Sequence, residues 1–190
     1  RASSIPPPSR LSWHQGARRQ DWLGQGTAGS SSGSAAAVAS GMIPAALGTD
    51  TGGAVRMPAA LCCIAGLKPT YGRVSRAGVL DLSWSMDHVG PMTRTTEDCA
   101  LMMNVLAGHD SRDPASSSNP VNDFTSEIGK GLDGLKIGIP SHYFFDEFVD
   151  SEVLVSVCSA VNLLEANGAE VLELSMPWVG KGRPINFGLL

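Results

Sequence analysis

Residues 48–80 read GTDTGGAVRMPAALCCIAGLKPTYGRVSRAGVL, and the opening Gly48-Thr49-Asp50-Thr51-Gly52-Gly53 decides how the rest is understood. A Gly pair has no Cβ atoms to obstruct a sharp reversal, so Gly52-Gly53 marks a tight turn. Directly ahead of it, Ala45 to Gly48 reads as a buried strand feeding that turn. Farther upstream the chain is Gly, Ser and Ala, beginning GSSSGSAAAVASG at Gly29. Ser34 to Gly41 is rich enough in Ala for a short helix, with the preceding Ser/Gly loop as the source of its N-cap. Neither segment is specific alone: a Ser/Gly run is commonly a linker, and a Gly pair commonly a turn.

Downstream, the periodicities are plainer. Thr95-Thr96-Glu97-Asp98 offers an N-cap with acidic residues in the first turn, and CALMMNVLAG continues at helical spacing until Gly108 stops it. Leu135 to Ile139, LKIGI, reads as a buried strand. Asp150 caps a longer helix with Val153, Val157, Val161 and Leu164 on one stripe and Asn167-Gly168 as its C-cap. Ala169 to Leu174, AEVLEL, alternates as another strand. A helix between two strands has the form of a βαβ crossover, for which a parallel pair is expected, and the class is α/β. Ser111 to Asn122 reads as a surface loop.

Residues 1–26 hold a Pro triplet and four Arg with no apolar period, so they are expected to stay out of the core as a disordered or foreign segment. Residues 27–190 then form the globular part. Over the 190 residues, 43% are hydrophobic and 17% charged, which fits a globular chain. A net charge of −4, without a Lys/Arg cluster, gives no field to hold nucleic acid. Cys62, Cys63, Cys99 and Cys158 lack metal-ligand spacing and are expected to be reduced core thiols of a cytoplasmic protein. No apolar run is long enough to span a membrane or to act as a secretory signal. Gly33 is followed by Ser34-Ala35 rather than by the Lys-Ser/Thr pair of a phosphate-binding loop, so nucleotide binding is set aside.

Taken together, the Ser/Gly run, GTDTGG-x-x-R-x-P and GLKPTYGRVSR resemble the amidase-signature family, as does the later GPMTRTTEDCALMMNVLAGHD. The resemblance runs from about Ala28 to the C-terminus. It implies part of a large α/β/α fold with a mixed central sheet, and hydrolysis of carboxylic amides through a Ser–Ser–Lys triad. In that mechanism a Ser attacks the amide carbonyl, a bridging Ser on a cis peptide relays its proton, and a Lys is the base. Backbone N–H groups just before the nucleophile stabilise the oxyanion. By position, Ser30 falls at the bridging Ser; Thr51, Gly52 and Gly53 fall at the oxyanion loop; Ala54, twenty-four residues after Ser30, falls at the nucleophile.

Alanine has no hydroxyl, and no Lys precedes Ser30 in these residues; Lys68, in GLKPT, is not the counterpart of the triad base. The resemblance therefore implies a chain unable to form an acyl-enzyme. Asp50 and Arg56 flank the turn, where a structural ion pair is favoured over direct substrate contact. Ala28 stands where the family has Gly and is strained if that position needs a positive φ. His14, His88, His109 and His142 show no triad or metal spacing, and Trp84-Ser85-Met86-Asp87 is expected near a substrate channel. Residues 180–190 read as the entry to a helix, and a core sheet cut at both ends is expected to be poorly soluble or partner-dependent.

Three readings follow: a truncated amidase, a non-catalytic relative that binds an amide, an acyl group or a partner in a complex, and a product with no ligand at all. The resemblance implies no metal or organic cofactor. It allows a small-molecule amide as ligand, with a homo-oligomer or amidotransferase-type partner subunits, and no nucleic acid or membrane.

Overall fold

The computed structural model describes residues 27–140 and 149–179. The expectations for residues 1–26 and 180–190, and those for His14 and His142, lie outside them. Two compact units meet in sequence between Ser126 and Glu127.

In the first unit, helix α1 (Ser32–Ala39) leads to strand β1 (Ala45–Asp50), helix α2 (Arg56–Leu61), the short strand β2 (Ala65–Gly66), strand β3 (His88–Thr93) and helix α3 (Thr96–Leu106). The sheet order is β1-β3-β2, with both pairings antiparallel. Asp50 stands opposite His88, and Ala45 opposite Thr93. The strand expected over Ala45 to Gly48 thus runs two residues further, carrying Asp50 into the ladder. Its burial alternates rather than running throughout, because one face of this antiparallel sheet is covered more fully than the other.

Strand β3 lies in the middle, and every residue after His88 is buried. Gly90 is required there: a Cβ would lie 2.0 Å from the Leu67 carbonyl oxygen. Pro91 has no N–H to donate, and its carbonyl accepts from Leu67 N at 3.1 Å. Met92 is fully buried against Ala35, Val55, Ala59 and Cys62. Burying one such side chain contributes about 2 kcal/mol. A second cluster joins Val74, Val89 and Met103, with Phe124 packed against it.

Helix α1 begins two residues earlier than expected, and its N-cap, Ser31, makes no side-chain cap bond. The Ser31 hydroxyl instead accepts from Thr49 N at 3.1 Å and donates to Thr49 O at 3.3 Å. Ser34 Oγ donates to Leu47 O at 2.9 Å. An edge strand leaves every second residue's backbone groups without a ladder partner, and these two serines supply them. Gly48 permits the approach, since a Cβ there would meet Ser31 Oγ at 2.7 Å. Helix α3 follows its sequence signals: the Thr95 hydroxyl accepts from Asp98 N at 3.1 Å, and the helix ends at Leu106.

In the second unit, β4 (Lys136–Pro140) and β5 (Glu170–Leu174) pair in parallel, joined by helix α4 (Ser151–Ala166). This is the expected βαβ crossover, capped by the Asp150 side chain on Glu152 N and closed at Asn167, with Gly168 at φ +103°. The burial expected of LKIGI is not found. Leu135 lies outside the strand, 48% exposed, and β4 is at most half-buried, because one helix on two strands cannot cover both faces of a parallel sheet. Helix α4 has no buried residue, and Val153 and Val157 of its stripe are exposed.

One further expectation is corrected. Cys62 and Cys99 are buried, but Cys63 and Cys158 are exposed, so only two of the four thiols belong to the core; all are free. The Ser111 to Asn122 segment is the surface loop expected, mostly exposed, and it is tied down at Asp113, which is buried and accepts from Arg76 N and Ala115 N. Among the described residues, no helix is long and apolar enough to cross a membrane.

Candidate active site at the Asp50 turn

Strand β1 delivers Asp50 to the sheet end with its side chain fully buried, and Thr51–Val55 then reverses the chain into α2. The Asp50 carboxylate holds that reversal from inside. Oδ1 accepts from Gly53 N at 2.7 Å, and Oδ2 from Val55 N at 3.3 Å and Arg56 N at 3.4 Å. The Arg56 guanidinium closes on the same carboxylate, Nε to Oδ2 at 2.9 Å and Nη2 to Oδ1 at 3.0 Å. Burial pushes the Asp50 carboxyl up, but Arg56 and the backbone donors outweigh it and hold it below the usual carboxylate range. Arg56 is correspondingly raised by Asp50. The ion pair expected from sequence between Asp50 and Arg56 is present.

Gly53 adopts φ +127°, which a side chain rarely tolerates, and a Cβ would press on Met57 at 3.2 Å. Ala54 follows, half-buried, and presents only a methyl group at that point of the turn. Thr51 is half-buried and Gly52 exposed. On the other segment of the motif, Ser30 is exposed, the Gly29–Ser30 peptide bond is cis, and Ala28 has φ +53°. The positive φ considered for Ala28 is therefore present. Through its neighbour Ser31, bonded to Thr49, the Ser/Gly run lies against the strand end that leads into the turn.

The partner strand contributes a polar layer. His88 Nδ1 faces the carbonyl oxygens of Met86 at 2.6 Å and Asp50 at 3.3 Å. Carbonyls only accept, so Nδ1 carries the proton, and Nε2 is left to accept from Lys68 Nζ at 3.1 Å. Burial and the Lys68 charge lower the His88 pKa. Burial, then the Arg56 charge, lowers that of Lys68. His88 is thus a satisfied, half-buried histidine, as its isolated place in the sequence suggested.

Asp87, just before it, is buried and accepts the Thr51 hydroxyl on Oδ1, while Oδ2 accepts from Leu82 N at 2.7 Å and Ser83 N at 2.9 Å. Trp84 is largely exposed, and its carbonyl takes bonds from Tyr71 and Arg76. In the segment singled out from Trp84 to Asp87, it is the Asp87 side chain that bonds to the turn. Sequence reading missed the Thr51–Asp87 and Lys68–His88 contacts. The signal available was the strand HVGPMT, whose register sets His88 opposite Asp50.

The sequence profile of the Amidase family matches residues 24–187. The A subunit of the glutamyl-tRNA(Gln) amidotransferase of Chromohalobacter salexigens is 55% identical over 149 residues, covering 78% of this chain and 30% of that protein. Among solved structures, the corresponding Thermotoga maritima protein superposes with a TM-score of 0.81 at 40% identity, covering 86% of this chain and 36% of that one. The peptide amidase of Stenotrophomonas maltophilia superposes with a TM-score of 0.75 at 35% identity, covering 84% and 33%. The chain therefore spans about a third of the length of the relatives it matches.

Proposed function

For a chain that belongs to the amidase family, we propose that the Asp50 turn is an amide- or acyl-carbonyl-binding site that lacks the means of covalent turnover. The observation that carries this reading is the turn itself. The Asp50 carboxylate gathers the N–H groups of Gly53, Val55 and Arg56 on its inner side and fixes the loop; the Gly53 N–H assigned to the oxyanion from sequence is thereby taken by Asp50, and the oxyanion role falls to Gly52 and Thr51. Ser30 takes the bridging position, and Ala54 the nucleophile position.

A methyl group cannot attack a carbonyl, so no acyl-enzyme forms at residue 54. The Thr51 hydroxyl is directed to Asp87 and stands at a different point of the turn. Family chemistry, hydrolysis of a carboxylic amide, then reduces in this chain to recognition of the carbonyl group. Losses of several orders of magnitude accompany removal of members of a catalytic unit. A second reading rests on the relatives: the Chromohalobacter and Thermotoga proteins are amidotransferase subunits, which supports a role here within an amidotransferase-type complex.

Turnover tests the assignment. The chain with Ala54 in place is expected to release no ammonia from benzamide, because residue 54 has no hydroxyl to attack the carbonyl. Measurable release would show that another group serves as nucleophile and would overturn the assignment.

A further inference from the structure

We infer that Asp87 is a positioning residue for the Gly52-Gly53 turn, holding it from outside through the Thr51 hydroxyl while Asp50 holds it from inside. This role rests on reading that turn as the carbonyl-binding site. Asp50 takes the amides of Gly53, Val55 and Arg56, all on the α2 side of the reversal. The β1 side carries Thr51 and Gly52, and there the bond to Asp87 spans thirty-six positions of sequence.

Asp87 is suited to be an anchor. It is 4% exposed, and its two oxygens have separate tasks. Oδ2 is fixed by the backbone N–H groups of Leu82 and Ser83, which prevents the carboxylate from rotating, and Oδ1 is directed at Thr51. The two backbone bonds alone would secure the Leu82–Asp87 bend, so the Thr51 bond is additional to what that bend requires. The next residue, His88, begins β3 and stands opposite Asp50 in register. The anchor and the turn are therefore built on one antiparallel pair, and a hydroxyl-to-carboxylate bond, strengthened by the charge, joins them. Fixing the Thr51 side chain limits the rotation of its backbone and of the Thr51–Gly52 peptide, where glycine imposes no restraint of its own. Burial pushes the Asp87 carboxyl up, but the bonds from Thr51, Ser83 and Leu82 outweigh it and keep the group ionised at neutral pH.

The test compares Thr51→Val, Thr51→Ser, Asp87→Asn and the Thr51→Val/Asp87→Asn pair with the unsubstituted 190-residue chain. Two quantities are read: amide hydrogen exchange of Gly52 and Gly53 by NMR, and the dissociation constant for benzamide. Thr51→Val and Asp87→Asn are each expected to speed exchange of the Gly53 amide, which is bonded to Asp50, about tenfold and to weaken benzamide by a similar factor, with the pair no worse than either alone. Thr51→Ser, which keeps the hydroxyl, is expected to match the unsubstituted protein. Effects that multiply in the pair, or a Thr51→Val variant within about twofold of the unsubstituted protein in Gly53 exchange, would overturn the inference. Should benzamide bind to none of these proteins, the carbonyl-site reading fails, while the exchange rates still decide whether Asp87 positions the turn.

Discussion

Asp50 takes five hydrogen bonds from three residues, Gly53, Val55 and Arg56, on one carboxylate with no exposed surface. In Asp50→Asn the amide group replaces one acceptor oxygen with a donor, which then faces the N–H groups or guanidinium it should receive. Chemical denaturation should show a loss of about 3 kcal/mol, the size expected when a buried carboxylate that accepts several backbone N–H groups and a half-exposed guanidinium is replaced. The folded-state pKa of Asp50 lies below its unfolded value of 3.8. Its contribution is therefore complete above that unfolded value and lost as pH falls through the folded one. His88 is also lowered, from 6.5, so its contribution is complete above 6.5 and declines as pH falls below it, when the ring must be charged beside Lys68. Denaturation midpoints between pH 5 and about 7 should rise with pH in the unsubstituted chain, and the slope should flatten in His88→Gln. Ala28, at φ +53°, gives a change of opposite sign. Ala28→Gly relieves the left-handed conformation and should stabilise by about 1 kcal/mol in the same assay.

Among the elements, those that carry their own start and stop signals were readable in advance. Helix α3 has Thr95 as its cap, and helix α4 has Asp150 before it and Gly168 after it. Thr95→Ala removes the acceptor for Asp98 N and should cost about 1 kcal/mol. The parallel pairing of β4 with β5 followed from the crossover, since a helix between two strands returns the chain in the same direction. Strand β3 escaped because Gly90-Pro91 reads as a break, and only the close approach of Leu67 to Gly90 shows why a strand can hold them. The Ser/Gly run misled in another way. Composition assigned its hydroxyls to a helix cap, whereas Ser31 and Ser34 serve the open edge of β1, a partner thirteen or more positions away that no local pattern reveals. The motif residues of the turn were legible individually; the Asp87 bond to Thr51 required the fold.

At the scale of the molecule, the chain spans about a third of the length of its relatives, and much apolar surface is exposed. In the second unit Val153, Val155 and Leu163 of α4 are each more than half exposed. Such surface favours association, so sedimentation should show the weight-average mass rising with protein concentration. Whether the Asp50 turn binds a carbonyl group without turning it over can be read in one NMR titration. Benzamide is added to the 190-residue chain while the Gly52 and Gly53 amides are recorded together with the ligand's own signals. A binding site without turnover gives saturable shifts at both glycines and no benzoate. Benzoate appearing with time, or no shift at either glycine at saturating benzamide, would contradict it.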